Sequence, residues 1–251
     1  YVWFDAPIGY ISITADYLQS ETAWRQWWQN PRNVELVQFM GKDNIFFHTL
    51  MLPGTLIGTN ADTAAAAAAV DAKSAAKSDK PKEGKEHEDW TLLSSISTTE
   101  FLNYCETKFS KSHGTGVFGD DAKNTNIPVD VWRYYLLASR PETGDTNFDW
   151  KDFQTKVNAE LNNTFGNFCQ RVLQFVVSSL DKKVPAASLS TDKVAAEFAA
   201  KLDRLAKQFV AELERQQIKS AIKTFYDVAD ASNGYMQASQ PWKVIKKDRA
   251  A

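Results

Sequence analysis

The sequence predicts an α/β fold followed by an all-α half, and three observations carry that expectation. Residues 34–58 run strand, tight turn, helix; composition shifts abruptly over 59–89; and helical periodicity dominates from about residue 150 onward. At the start, "YVWFDAPIGYISI" (1–13) reads as strand and turn. "VELVQFM" (34–40) is a short apolar run before "GKD", the pattern of a buried parallel strand ending in a turn. "NIFFHTLMLPGTLIG" (44–58) reads as a mostly buried helix broken at Pro53-Gly54.

Residues 59–89 are rich in alanine, lysine, serine and acids and contain no aromatic. Such a stretch buries too little apolar area to offset its chain entropy, so it reads as a mobile surface insertion or plain linker. From Trp90 the chain is globular again. "TLLSSISTTEFLNY" (91–104) alternates as one or two strands, and "VDVWRYYLLASRPE" (129–142) is an amphipathic helix ending before Pro141. Long helical patterns follow over about 150–181, 191–217 and 218–237, with "DKKVPAASLST" as the clearest break.

The chain has 251 residues, 43% of them hydrophobic, enough for one large or two modest domains. A net charge of −2 gives no bulk attraction for nucleic acid; such binding would need a local basic patch. Two cysteines, Cys105 and Cys169, make neither a disulfide framework nor, by themselves, a zinc site. No eighteen-residue apolar run is present, so no transmembrane helix and no membrane partner are expected. There is no signal peptide and no initiator Met, so the chain reads as a piece that begins inside a domain, with a reducing cytoplasm as its default location.

The chemistry-bearing stretch is "KFSKSHGTGVFG" (108–119). Gly114, Gly116 and Gly119 let the backbone swing and approach a ligand. Lys108 and Lys111 supply point charges, and Ser110 and Ser112 can donate to oxyanions. That set suits phosphoryl or nucleotidyl transfer, where catalysis neutralises developing charge. The order of a P-loop is missing, and a solvated turn is the plain alternative.

The pattern K-[MF]-S-K-S-x-G resembles the second signature of class I aminoacyl-tRNA synthetases. "YVWFDAPIGYISI", "VQFMGKDNIFFHTLMLPG", "TTEFLNY" and "VDVWRYYLLASRPETGDTNF" together resemble the methionyl-tRNA synthetase family of eukaryotic cytoplasmic type, and "NAELNNTFGNFCQRV" and "QPWKVIKKD" resemble its anticodon-binding helices. The likeness covers nearly the whole chain except 59–89 and, more weakly, 182–217. The family's first signature, a His-x-Gly-His-type turn, and its zinc-bearing insertion are not among these residues. The chain alone is therefore expected to be inactive. His113 stands where the family commonly has Arg, and Leu52 where many bacterial relatives have Trp.

The resemblance implies that 1–120 is the distal half of a Rossmann-type catalytic domain, 121–150 a junction and stem-contact segment, and 151–251 an anticodon-binding helix bundle truncated at its C-terminus. It implies a methionine pocket lined by Trp3, Ala6, Pro7, Tyr10, Phe47 and His48, where a thioether meets polarizable aromatic faces. Core packing is the plain reading of Trp3, Phe47 and His48. Gly41 and Asp43, just past a strand, would meet ATP and its ribose, although Asp43 could simply cap the next helix. Lys108 and Lys111 would neutralise the departing phosphates, beside Ser110 and Ser112. Asn163, Asn167 and Arg171, spaced i, i+4, i+8, and Trp242 would read a CAU anticodon; the alternative is a solvated face and a bundle-core Trp.

The implied reaction joins methionine to tRNA(Met) with ATP, whose Mg2+ accompanies it; no zinc site is expected within these residues. The resemblance leaves room for a multi-synthetase or accessory-protein complex. Two other classes stay open: a non-catalytic tRNA-binding module, and another class I synthetase.

Overall fold

The computed structural model describes residues 6–59, 89–184 and 193–248, the side chains of 246–248 excepted. The chain divides into two compact units, 1–99 and 100–251.

In the first unit, helix α1 (Ile8–Leu18) follows a turn at Ala6-Pro7 and stops at Gln19, which is left-handed at φ 49°. The expected strand and turn over 1–13 is corrected here: from Ile8 the chain is helical. The β-branched run Ile11-Ser12-Ile13-Thr14 suggests a strand, but Pro7, with φ −62° and ψ −19°, already has helical backbone and starts the helix. Residues 1–5 lie outside the described residues. Helix α2 (Arg25–Trp28) is a single turn whose Trp28 is buried.

Strand β1 (Leu36–Gly41) pairs in parallel with β2 (Leu93–Thr99), Gln38 opposite Ile96 and Met40 opposite Thr98. Parallel pairing agrees with expectation; burial does not. Gln38 is buried while Phe39 is 58% exposed, because the alternation of a strand points the two to opposite faces.

After a 3-10 turn (Lys42–Asn44) the chain forms a π-turn (Phe47–Met51) and continues into α3 (52–59). The predicted break at Pro53-Gly54 is absent. The wider π-turn ahead of Pro53 gives its ring room that the α pitch would deny, and exposed Gly54 weakens a helix without ending it. Leu52 and Leu56, four residues apart, bury the same helix face. Of the 59–89 insertion, 60–88 lie outside the described residues.

The second unit is built on an aromatic core of Trp132, Tyr135, Phe148 and Phe153. Tyr135 is fully buried, and its hydroxyl donates to Asp152 Oδ2 at 2.7 Å. Burial first, then this carboxylate, pushes its phenol well above the ordinary tyrosine range. Around the core lie β3 (Leu102–Tyr104), parallel to β4 (Thr146–Phe148), with α4 (Gly119–Asn124) and α5 (Val129–Ala138). Asp149 caps α6 (Trp150–Lys156), accepting from the amides of Lys151 and Asp152 at 2.8 and 3.0 Å.

A ten-residue π-helix (Val157–Gly166) joins α6 to α7 (Asn167–Ser179). Its Gly166 has a steric reason: a Cβ there would lie 2.9 Å from the carbonyl oxygen of Leu161. Helices α8 (Lys193–Glu214) and α9 (Ile218–Ser239) pack along one another, with the rings of Phe198 and Tyr235 stacked at 4.3 Å. Buried Thr224 donates to Glu212 Oε2 at 2.7 Å, tying the two helices together beside their short connection. The last helix, α10 (Pro241–Asp248), rests against α7.

Candidate functional site

In the first unit, a chain of hydrogen bonds fixes one aromatic cluster. His48 is 6% exposed and sits in the π-turn; its Nδ1 lies 2.8 Å from the carbonyl oxygen of Asn44. A carbonyl only accepts, so Nδ1 carries a proton. Tyr10, in the first turn of α1, places its hydroxyl in hydrogen-bond contact with His48 Nε2 at 2.9 Å. Both ring nitrogens are therefore engaged. The ring of Tyr10 stacks on Trp28 at 6.4 Å with planes 18° apart. Trp28 donates its indole N–H to Thr14 Oγ1 at 3.0 Å, and Thr14 donates to the Tyr10 carbonyl at 2.7 Å.

Sequence reasoning named Tyr10 and His48 but missed Trp28, Thr14 and Asn44. A signal existed for Trp28: "AWRQWWQN" places three tryptophans in a polar stretch, which ordinary solvation does not explain. Of the other expected pocket residues, Pro7 is buried at the entry to α1 and Ala6 is exposed beside it. Phe47 lies in the π-turn, edge-on to Phe46 at 5.8 Å. Trp3 lies outside the described residues.

Gly41 ends β1 with ordinary extended backbone (φ −72°, ψ 152°) and open space where a Cβ would stand. No conformational need demands glycine there; what glycine provides is access to the backbone. Asp43 follows in the 3-10 turn, exposed, with no capping bond and no partner among the described residues. A carboxylate left open past the C-terminal end of a parallel strand stands where α/β sheets bind ligands.

The second unit carries the lysine stretch, mounted on its own aromatic core. Tyr104 stacks on Phe148 at 5.7 Å and against Phe109 at 5.4 Å. The motif folds as a closed hairpin. Ser110 and Thr115 exchange two backbone hydrogen bonds of 2.9 Å, leaving Lys111, Ser112, His113 and Gly114 as the exposed tip. Gly114 is left-handed at φ 62°, and Gly116 has φ 129°. Ser110 Oγ lies 3.2 Å from Ser112 Oγ and accepts from the His113 amide at 3.3 Å. Lys108 places its ammonium 5.8 Å over the Phe101 ring, beside a cavity of about 200 Å3. Lys111 is exposed and unpaired among the described residues. Just before the hairpin, Tyr104 and Thr107 exchange hydrogen bonds across a two-residue turn in which Cys105 and Glu106 are both left-handed, at φ 46° and 65°.

The helical set is partly assembled. Asn167 and Arg171 lie four residues apart on α7 and share a face. Asn163 belongs to the π-helix, so the α spacing used to predict a common face applies only from Asn167 on. Both asparagines are exposed. Arg171 carries its guanidinium 5.7 Å over the ring of Trp242, joining α7 to α10 by a cation–π contact.

The family described as tRNA synthetases class I (M) matches residues 1–173. A probable methionine–tRNA ligase of Oryza sativa subsp. japonica is 45% identical over 256 residues, covering 100% of this chain and 28% of the relative. The cytoplasmic methionine–tRNA ligase of Arabidopsis thaliana is 44% identical, over 99% of this chain and 28% of its own length. The chain thus spans little more than a quarter of these relatives. Among solved structures, Mycobacterium tuberculosis methionyl-tRNA synthetase bound by methionyl-adenylate superposes with a TM-score of 0.69 at 25% identity, over 98% of this chain and 41% of that one.

Proposed function

The chain belongs to the class I tRNA synthetases of the M type, and from that premise we propose that the whole protein is a methionine–tRNA ligase. One observation supports this most strongly: the Tyr10 hydroxyl is held by a buried, doubly hydrogen-bonded His48, with the Tyr10 ring stacked on Trp28. A thioether has no charge to satisfy. Polarizable aromatic faces and one fixed hydroxyl suit it better than any ionic group would.

In the first step, a methionine carboxylate oxygen attacks the α-phosphorus of ATP. The bond to the β-phosphate oxygen breaks, and pyrophosphate leaves with the Mg2+ that accompanied the nucleotide. In the second, a hydroxyl of the terminal tRNA adenosine attacks the methionyl carbonyl and AMP departs. Neither step needs a protein nucleophile. Lys108 and Lys111, with Ser110 and Ser112, are assigned to the charge developing on the leaving phosphates. Gly41 and Asp43 are assigned to the nucleotide, and Ala6, Pro7, Tyr10, Phe47 and His48 to methionine. Asn163, Asn167, Arg171 and Trp242 are assigned to the anticodon, with Trp242 as a stacking plate contributing about 1–3 kcal/mol.

In this reading 1–120 belongs to a Rossmann-type catalytic domain, 121–150 to a junction and 151–251 to an anticodon-binding bundle. The place of action is the cytoplasm, matching the labels of the relatives. Among the described residues no helix is long and apolar enough to cross a membrane.

Pyrophosphate-exchange and aminoacylation kinetics on the full-length protein test the assignment. Lys111→Ala should slow exchange while leaving the methionine KM in place. Trp242→Ala should raise the KM for tRNA and spare exchange. An unchanged exchange rate in Lys111→Ala, or equal damage to both reactions by Trp242→Ala, would refute the division of roles.

A further inference from the structure

Asparagine is depleted in strands, yet Asn147 stands in the middle of β4, exposed and in register with Asn103 of β3. Its side-chain Oδ1 accepts from the Glu106 amide at 2.7 Å. That amide belongs to the two-residue turn ahead of the lysine hairpin, closed by backbone bonds of 2.7 and 2.9 Å between Tyr104 and Thr107. Both central residues, Cys105 and Glu106, have left-handed backbone, at φ 46° and 65°. A turn with two left-handed centres prefers Asn-Gly or Asp-Gly, and Cys-Glu is neither. Left-handed residues other than glycine persist only where their surroundings over-determine them.

Strand β4 supplies that constraint. The Cys105 amide donates to the Phe148 carbonyl at 2.9 Å, so neighbouring residues of β4 take the amides of both left-handed residues, one with a side chain and one with backbone. Just before β4, Asp145 Oδ1 accepts from the Phe101 amide at 3.0 Å, and Phe101 is the ring beneath the Lys108 ammonium. The turn sets the direction in which the chain leaves β3. Thr107 ends it, Lys108 follows, Phe109 lies against Tyr104 at 5.4 Å, and the hairpin closes at Ser110. Among these holds, the Asn147 side chain is one that substitution can remove while strand pairing and the aromatic core stay in place.

We infer that Asn147 is a positioning residue: by holding the strained turn it aims the lysine hairpin at the leaving phosphates. The inference rests on the synthetase reading and adds to it a residue that acts through the Glu106 backbone rather than on any substrate.

The test uses the full-length protein as wild type, Asn147→Ala, Asn147→Asp, Glu106→Gly and Asn147→Ala/Glu106→Gly. Asn147 and Glu106 are both exposed, so the variants should fold, as circular dichroism would verify. Two readouts are taken: methionine-dependent pyrophosphate exchange, and amide hydrogen exchange over 104–116 by mass spectrometry. Asn147→Ala should lower kcat roughly 3- to 10-fold, the factor carried by one amide hydrogen bond, and leave the methionine KM in place. Its 104–116 amides should exchange faster. Asn147→Asp keeps an acceptor oxygen and should retain both readouts. Glycine adopts left-handed backbone without steric cost, so Glu106→Gly should behave as wild type and should rescue Asn147→Ala. An Asn147→Ala variant with wild-type kcat overturns the inference, whatever its hydrogen exchange. A loss that raises the methionine KM equally, or that Glu106→Gly does not rescue, overturns it too, because general damage then accounts for the effect. A wild type with no methionine-dependent exchange refutes the synthetase reading instead; hydrogen exchange alone then decides whether Asn147 holds the hairpin, faster exchange in Asn147→Ala upholding it and equal exchange overturning it.

Discussion

Gly116→Ala should disable the lysine hairpin without touching a lysine. Gly116 has φ 129°, a region open to glycine and costly for other residues, by about 1–3 kcal/mol. An added Cβ would lie 2.3 Å from Cδ1 and 2.8 Å from Cε1 of Phe109. That ring is held between Tyr104 at 5.4 Å and Phe118 at 6.2 Å, so it has little freedom to yield. Overpacking of this kind adds about 1–3 kcal/mol. Even the lower ends together give about 2 kcal/mol, which lowers the equilibrium constant for the correct hairpin by roughly 30-fold and its population by up to that factor. Pyrophosphate exchange on the full-length protein is the assay, with kcat expected to fall by that order and the methionine KM to hold. Gly114→Ala is the control: its φ is 62° but the space beyond it is open, so it should lose only about 1–2 kcal/mol. An unchanged kcat in Gly116→Ala, or a larger loss in Gly114→Ala, would show that hairpin geometry does not govern the reaction.

Three further outcomes are expected. Tyr10→Phe leaves His48 Nε2 without its hydroxyl partner and should cost about 0.5–1.5 kcal/mol in urea unfolding, together with a higher methionine KM; unaltered values for both would remove Tyr10 from the site. Gly166→Ala drives a Cβ to 2.9 Å from the Leu161 carbonyl, a backbone atom with little give. It should destabilise the helical unit by about 1–3 kcal/mol and weaken tRNA binding more than exchange, as paired denaturation and filter-binding measurements would reveal. Asp149→Ala removes the two-amide cap of α6 and should lower stability by about 1 kcal/mol, whereas Asp149→Asn should retain most of it.

Much of this architecture can be read from residue order. The apolar run before "GKD" pairs in parallel with the alternating stretch after Trp90, and the three long helical patterns become α6 through α9, with α7 ending at Ser179 just ahead of "DKKVPAASLST". The misreadings share a cause: local signals overruled by geometry several residues away. Pro53 marks a break only if the preceding turn is α, and the sequence carries no plain sign that Phe47–Met51 is π. Ile11 and Ile13 look like strand residues until Pro7 sets a helical start. The lysine stretch reads as open and flexible from its glycines, yet Phe109 and Tyr104 anchor it to an aromatic core whose key members, Trp132 and Phe148, come later in the chain. Within the candidate site, the family resemblance named Tyr10 and His48 and residue type suggested the lysines, while Trp28 and Asn44 act through a ring face and a backbone carbonyl, which residue type does not announce.

The tight turn ahead of the hairpin has a practical use. Cys105 sits on its exposed corner, while the other thiol, Cys169, is half-covered within α7. Within this chain a thiol-reactive fluorophore should therefore attach at Cys105 first, three residues from Lys108. Such a label would report on the surroundings of the lysine hairpin from a position the fold already exposes.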